Sequence, residues 1–147
     1  MGSKSDAEIG KNAKALLDEL GVGADMVVAS AHRTPERVER LVKKSDADVF
    51  IAIAGLSAAL PGVVASFTIK PVIGVPVSGK LGLDSILSVV QMPPGIPVAA
   101  VGLDRGENAA LLAAEIIAIG DPSVAESLLA YRKNMAEKVI ADSEELC

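Results

Sequence analysis

The sequence predicts an α/β fold in which a parallel sheet lies between helices, and three observations carry that expectation. Apolar runs of strand length alternate along the chain with helical patterns, the order of a βαβ protein. The runs are apolar throughout rather than at every second residue, so each is expected to be buried on both faces. Half of the 147 residues are hydrophobic, yet the aromatics are only Phe50, Phe67 and Tyr131. The core is therefore built from Ala, Val, Ile and Leu, which suits close helix–sheet contacts.

The elements follow in order. Ile9, Ala13, Leu16, Leu17 and Leu20 fall on one helical face, and Gly21 and Gly23 end that helix. Met26, Val27, Val28 and Ala29 read as a short buried strand. Thr34 is placed to cap a second helix with Pro35 at its first position, and Val38, Leu41 and Val42 form its apolar stripe. Residues 49–54, 71–77 and 97–101 read as three more strands, separated by helical patterns around 60–67 and 84–90. Residues 108–119 form another helix, and a last one runs from about 122 to 140 with Asp121 as its cap. Its stripe of Val124, Leu128, Leu129, Met135 and Val139 is expected to pack on another subunit. Right-handed crossovers would join the parallel strands. With no repeat or linker, residues 1–147 read as a single domain.

Composition excludes several functions. A net charge of −5 argues against a general nucleic-acid binder, which needs basic surface to neutralise phosphates. Scarce aromatics leave no base-stacking platform. Cys147 is the sole cysteine, so neither an intramolecular disulfide nor a cysteine zinc site is expected. The apolar stretches are too short for a membrane span, and a soluble, cytoplasmic protein is the expectation.

Several small, polar, glycine-bearing loops follow the expected strands, where open α/β sheets hold ligands. The run Gly2-Ser3-Lys4-Ser5-Asp6 has the residues of a phosphate loop opening a helix, and equally those of an ordinary capped start. Such loops usually follow a strand, and only Met1 precedes this one, so a first strand is missing and the chain reads as starting late. The run Ser30-Ala31-His32-Arg33-Thr34-Pro35 holds the only histidine, a side chain able to exchange protons near neutrality. Arg33 beside it offers a cationic fork for phosphate or carboxylate; a surface His beside a cap is the plainer reading. The glycine-rich loop 54–62 would admit a ligand or merely allow close helix packing. The link 78–82 fits a closing flap or, more simply, a plain loop, and the run 104–108 a capped turn.

Taken together, GSKSD (2–6), SAHRTP (30–35), AGLSAALPG (54–62), KPVIGVPV (70–77), GLDSILSVVQMPPGIPVA (82–99) and NAALLAAEI (108–116) resemble the PurE family of purine biosynthesis. That family comprises mutases acting on N5-carboxyaminoimidazole ribonucleotide and carboxylases acting on aminoimidazole ribonucleotide. The similarity spans nearly the whole chain, and residues 101–108 look most like archaeal members.

The resemblance implies a flavodoxin-like three-layer sandwich assembled as a homo-octamer, with C-terminal helices reaching across subunits. It implies a site without metal or organic cofactor. Residue by residue, Ser3, Asp6 and Arg33 would bind the ribonucleotide, Ser5 and Ser30 its phosphate, and Asp6 its ribose hydroxyls. His32 would be the general acid–base, Gly55 and Ser57 would also bind the substrate, and the glycine-rich apolar walls around Gly55 would exclude water.

Two departures stand out. Family members carry a short apolar strand before MGSKSD, so Met1 reads as an internal methionine of a longer protein. Mutases typically have a second histidine where this chain has Ala59, and carboxylases using free CO₂ tend to lack it; Ser57 also resembles them. Arg33 and the intact Leu60-Pro61-Gly62 match the mutase pattern. The mutase is the leading expectation, with direct carboxylation and a non-catalytic nucleotide-binding paralogue as alternatives. A carboxylase of pyridine nucleotides fits less well, because of the run Gln91-Met92-Pro93-Pro94-Gly95.

Overall fold

The computed structural model describes residues 1–79 and 82–146. Three parallel strands form the sheet in the order β1 (Phe50–Ala54), β2 (Val72–Pro76), β3 (Ala99–Ala100). Phe50 pairs with Val72 through to Ala54 with Pro76, and Ile73 and Gly74 pair with Ala99 and Ala100. The helices are α1 (Ala7–Glu19), α2 (Pro35–Lys44), α3 (Leu60–Ala65), α4 (Leu83–Val90), α5 (Gly106–Ala118) and α6 (Pro122–Glu144).

Alternation along the strands divides the core into two layers of side chains. Ile53, Ile73 and Val75 point to one face and pack with Leu16 and Leu17 of α1, four alanines of α5, and Val124 and Leu128 of α6. Ala52, Ala54 and Val72 point to the other and pack with Val38, Val64 and Val89 of α2, α3 and α4. The arrangement is the flavodoxin-like three-layer sandwich that the sequence implies. Small residues bring the layers close: Ala109, Ala110 and Ala114 of α5 are wholly buried.

Three expectations are corrected, at residues 26–29, at the fourth strand and at Thr34. Residues 26–29 are extended but form no ladder, and Met26, Val27 and Val28 are 37%, 43% and 45% exposed. Their bonds are to Met1, whose nitrogen donates to the Val27 carbonyl while its carbonyl accepts from Ala29 N–H, and to Arg37, whose Nε donates to the Val28 carbonyl; one paired residue makes no ladder. The fourth expected strand shrinks to Ala99–Ala100, both exposed at the sheet edge, because Pro97 has no N–H to donate. Thr34 stands at the N-cap of α2 without capping it; its hydroxyl turns back to Ser30. The stripe of α6 is divided: Val124 and Leu128 are buried, whereas Leu129, Met135 and Val139 are exposed, as is every described residue beyond Tyr131. Asp121 does cap that helix, accepting from Ser123 N–H at 2.9 Å. The Ser123 hydroxyl and then its N–H hold the Asp121 carboxyl below its usual 3.8.

In the middle of β2, Gly74 lets α3, α4 and the segment before β3 converge on the sheet. A Cβ there would lie 2.5 Å from Val89 Cγ1 and 3.1 Å from both Pro61 Cβ and Val98 Cγ1. Gly74→Ala is therefore expected to cost about 1–3 kcal/mol through overpacking. The check is urea unfolding, where the midpoint falls and the slope stays unchanged.

Candidate active site

The chain's ligand-type loops gather where strands end. Gly2 N–H donates to the carbonyl of Ile53, near the end of β1, at 3.0 Å. This places the loop 2–6 against the carboxyl end of the sheet. From there the chain makes a short 3-10 turn, Lys4–Asp6, closed by a capping box. Ser3 Oγ accepts from Ser5 N–H at 3.3 Å, and Asp6 Oδ2 accepts from Ser3 N–H at 3.1 Å. The Ser5 hydroxyl donates to Asp6 Oδ1 at 2.8 Å. Asp6 is thus buried with both oxygens engaged, while retaining lone pairs for a further donor.

The second loop is folded by its own short polar side chains, which favour such turns. Thr34 N–H donates to the Ser30 carbonyl at 2.9 Å, closing a one-turn loop with His32 near its tip. Thr34 Oγ1 accepts from Ser30 N–H at 3.0 Å and donates to the Ser30 carbonyl at 3.2 Å. Ser30 Oγ accepts twice from Arg33, from its N–H and from Nε, each at 3.2 Å. Arg33 Nη2 then donates to the Gly2 carbonyl at 3.0 Å. One guanidinium so ties the loop carrying Ser3, Ser5 and Asp6 to the loop carrying Ser30 and His32. The His32 imidazole is exposed, and no hydrogen bond holds it among the described residues.

Gly55 begins the third loop directly after β1. Its ideal Cβ position lies 3.3 Å from Val77 Cβ, so a glycine there lets the ends of β1 and β2 stay close. Leu56 and Ala58 hold left-handed φ of 53° and 35°, conformations that cost non-glycine residues of order 1–3 kcal/mol. Ser57, between them, is exposed. Neither Gly55 nor Ser57 is hydrogen-bonded through its side chain or main chain to the Arg33 knot among the described residues; they share with it only the end of β1. Of the link 78–82, Lys80 and Leu81 lie outside the described residues, as does Cys147.

Two residues missed by sequence reasoning shape this end of the sheet. Asp104, with φ of 59°, donates its N–H to Pro76 O at 2.9 Å and accepts from Ser78 N–H at 2.7 Å through Oδ1. Ser85, 1% exposed, donates to the carbonyls of Val77 at 3.0 Å and Gly82 at 2.8 Å. An acid after a strand and a serine inside an apolar helix were the available signals. The run 104–108 is thus a turn, as expected, but one whose acid clamps the neighbouring loop.

Around Gly55 the described residues leave the loops open: His32, Arg33 and Ser57 all face solvent. The loops are short and turn back on themselves, and these three side chains stay exposed among the described residues. Among the described residues no three His, Cys, Asp or Glu side chains converge as a metal site. Burial holds the Met1 ammonium below its ordinary 8.0, partly opposed by the Asp6 carboxylate. No described helix is long and apolar enough to cross a membrane.

A parallel three-layer sandwich with polar loops clustered at strand ends defines an α/β domain of the ligand-binding class. The AIR carboxylase family model matches residues 1–138, and the chain belongs to that family. It is 63% identical over 147 residues to the N5-carboxyaminoimidazole ribonucleotide mutase of Methanocaldococcus jannaschii, covering 99% of this chain and 94% of the relative. A protein of the same name from Pyrococcus horikoshii is 51% identical over 144 residues, covering 95% and 81%. The crystal structure of Treponema denticola PurE superposes with a TM-score of 0.90 at 34% identity, over 99% of this chain and 94% of that one.

Arg33→Met removes the side chain that, among the described residues, bridges the two loops. It is expected to speed amide exchange across 2–5 and 30–34 about five- to tenfold, the worth of one or two exposed hydrogen bonds. Exchange in α5 should be unchanged. Hydrogen–deuterium exchange by mass spectrometry reads both regions at once.

Proposed function

We propose that the chain is a mutase of purine biosynthesis that converts N5-carboxyaminoimidazole ribonucleotide to 4-carboxy-5-aminoimidazole ribonucleotide. The observation that carries this reading is the Arg33 bridge between the loop of Ser3, Ser5 and Asp6 and the loop of Ser30 and His32. The 63% identity to a protein of that name supports it.

In this reading the ribonucleotide spans the two tied loops. Arg33, an exposed residue, spends Nε and Nη2 on the fold and keeps further N–H groups that can meet the phosphate together with the hydroxyls of Ser3, Ser5 and Ser30. Asp6 accepts from the ribose hydroxyls. Phosphate and ribose contacts hold a small reactive ring in place, which is where positioning contributes most.

The reaction then needs one proton carrier. The bond between the exocyclic nitrogen and the carboxylate breaks, CO₂ leaves, and the nitrogen takes a proton from the imidazolium of His32. Carbon 4 of the ring attacks the same CO₂, forming a carbon–carbon bond at a tetrahedral centre. His32 takes the proton from that carbon, the ring regains aromaticity, and the imidazole returns to its starting state. Gly55 and Ser57 border the space in which CO₂ is held.

A homo-octamer supplies the enclosure that the described residues leave open. The outer half of α6, with Leu129, Met135, Val139 and Ile140 53–70% exposed, is the apolar surface that reaches a neighbouring subunit. The domain 1–147 functions in this reading as one cytoplasmic unit with no cofactor.

Purified protein given the N-carboxylated substrate under CO₂-free conditions is expected to form the carbon-carboxylated isomer. His32→Asn should lower that rate by at least about a hundredfold, the usual worth of general acid–base catalysis, while inorganic phosphate binding persists. A fully active His32→Asn variant would refute the proton role. Ala59 favours a second reading, direct carboxylation of aminoimidazole ribonucleotide, which requires a rate that rises with dissolved CO₂ and ignores the N-carboxylated substrate.

Light scattering tests the assembly. The intact chain should run as a particle of eight copies, and removal of residues 133–147 should yield smaller species. A monomeric intact chain would overturn the α6 assignment.

A further inference from the structure

β3 stops early, yet the ladder beside β2 continues past it. Val101 N–H donates to Gly74 O at 3.2 Å, and Asp104 N–H donates to Pro76 O at 2.9 Å. Alternate carbonyls of β2 are thus served in turn, as in a parallel pair. In such a ladder the residue that donates to position 76 also accepts, through its own carbonyl, from the N–H of position 78. Here Asp104 Oδ1 accepts from Ser78 N–H instead, at 2.7 Å. The main-chain carbonyl of Asp104 is turned away and accepts from Gly106 N–H at 3.1 Å, where α5 begins. A left-handed φ of 59° bends the chain toward α5 and leaves the carboxylate on the rung that the backbone has abandoned. Glycine would adopt that φ freely, so what an aspartate adds at this position is the acceptor.

That rung brackets Val77. On the β1 side, Val77 N–H donates to Ala54 O at 2.9 Å, and its carbonyl accepts from Ser85 Oγ at 3.0 Å. Ala54, Ser85 and Asp104 together therefore engage the main-chain groups on both sides of Val77. Val77 in turn stands against Gly55, where a Cβ would lie 3.3 Å from Val77 Cβ and 3.5 Å from its carbonyl oxygen. Its side chain packs on the face that holds Ile53, Ile73 and Val75, the face covered by α1. The loop of Ser3, Ser5 and Asp6 opens that same helix. Val77 is thus a wall between the Gly55 loop and the end of β2, held in place from the far side by Asp104.

We propose that Asp104 is a positioning residue for the mutase reaction: its carboxylate fixes Val77 against Gly55 and so sets the width of the space in which CO₂ is held. The inference rests on the mutase reading given above. Asp104 acts through Val77 and touches neither the ribonucleotide nor CO₂. A wall that gives lets CO₂ escape to solvent before carbon 4 captures it. The bond between nitrogen and carboxylate has then broken, the nitrogen keeps the proton from His32, and water reprotonates the imidazole. The substrate ends as aminoimidazole ribonucleotide rather than as the carbon-carboxylated isomer.

The test compares Asp104→Gly and Asp104→Asn with the intact enzyme on the N-carboxylated substrate. Glycine relieves the left-handed φ and removes the acceptor, whereas asparagine tolerates that φ and keeps Oδ1. For Asp104→Gly, kcat is expected to fall about tenfold with KM within about twofold, because the phosphate and ribose contacts are untouched. The share of aminoimidazole ribonucleotide among the products should rise at least about fivefold, a ratio that loss of folded protein does not move. Asp104→Asn should restore both to within about twofold. The Ser78 amide should exchange about tenfold faster in the glycine variant alone.

An active chain whose glycine variant keeps its kcat and its product ratio overturns this inference and leaves the mutase reading standing. So does an asparagine variant as impaired as the glycine one, since the carboxylate would then act by charge. Ser85→Ala removes the bond to the Val77 carbonyl without touching Asp104 and should raise the same product share. No rise there overturns the inference, whether or not the glycine variant folds. An intact chain inactive on this substrate ends the mutase reading and this inference together.

Discussion

The carboxyl end of this molecule depends on how Gly2 is held. Its N–H is bound by Ile53 of β1 and its carbonyl by the Arg33 guanidinium, so one peptide unit joins the sheet to two loops. The same residue leads into the capping box that buries Asp6, and its predecessor, Met1, holds the segment 26–29 in an extended path. Without those bonds the loop carrying His32 would be tethered to the sheet only through the chain itself. Each bond is modest, about 1 kcal/mol net, but they act on neighbouring atoms and fix several loops at once.

Close packing makes that junction possible. Alanines on α5 and Gly74 on β2 bring helices near the sheet, and Gly55 keeps the ends of β1 and β2 together. Strain collects at the same end, with Leu56, Ala58 and Asp104 in left-handed conformations. Rigid layers below and constrained loops above form a scaffold suited to holding a small ligand, and strain of this kind concentrates at functional sites. Yet the loops lie open among the described residues, and half of α6 projects away with its apolar residues uncovered. Both features are answered together if chains assemble.

Much of the fold was legible because its signals are local. The apolar periodicity of α1 and α2, the Asp121 cap of α6 and the continuous apolar runs of β1 and β2 each depend on nearby residues. Where expectation and structure part, a distant partner is involved. Residues 26–29 have the composition of a buried strand, but whether they form a ladder depends on what lies beside them. Thr34 has the position of a cap, but Ser30 competes for its hydroxyl. The stripe of α6 continues past Tyr131, but the supporting surface of its own subunit ends there.

The same division holds at the candidate site. The sequence by itself determined the fold class, the family and the residue types near the strand ends, because hydrophobic pattern and motif order are written along the chain. Only the tertiary structure decided that Arg33 reaches Gly2, thirty-one positions away, and that Asp104 clamps Ser78. Side-chain hydrogen bonds between loops depend on distances of a few ångströms, and those are set by how the strands pair and the helices pack.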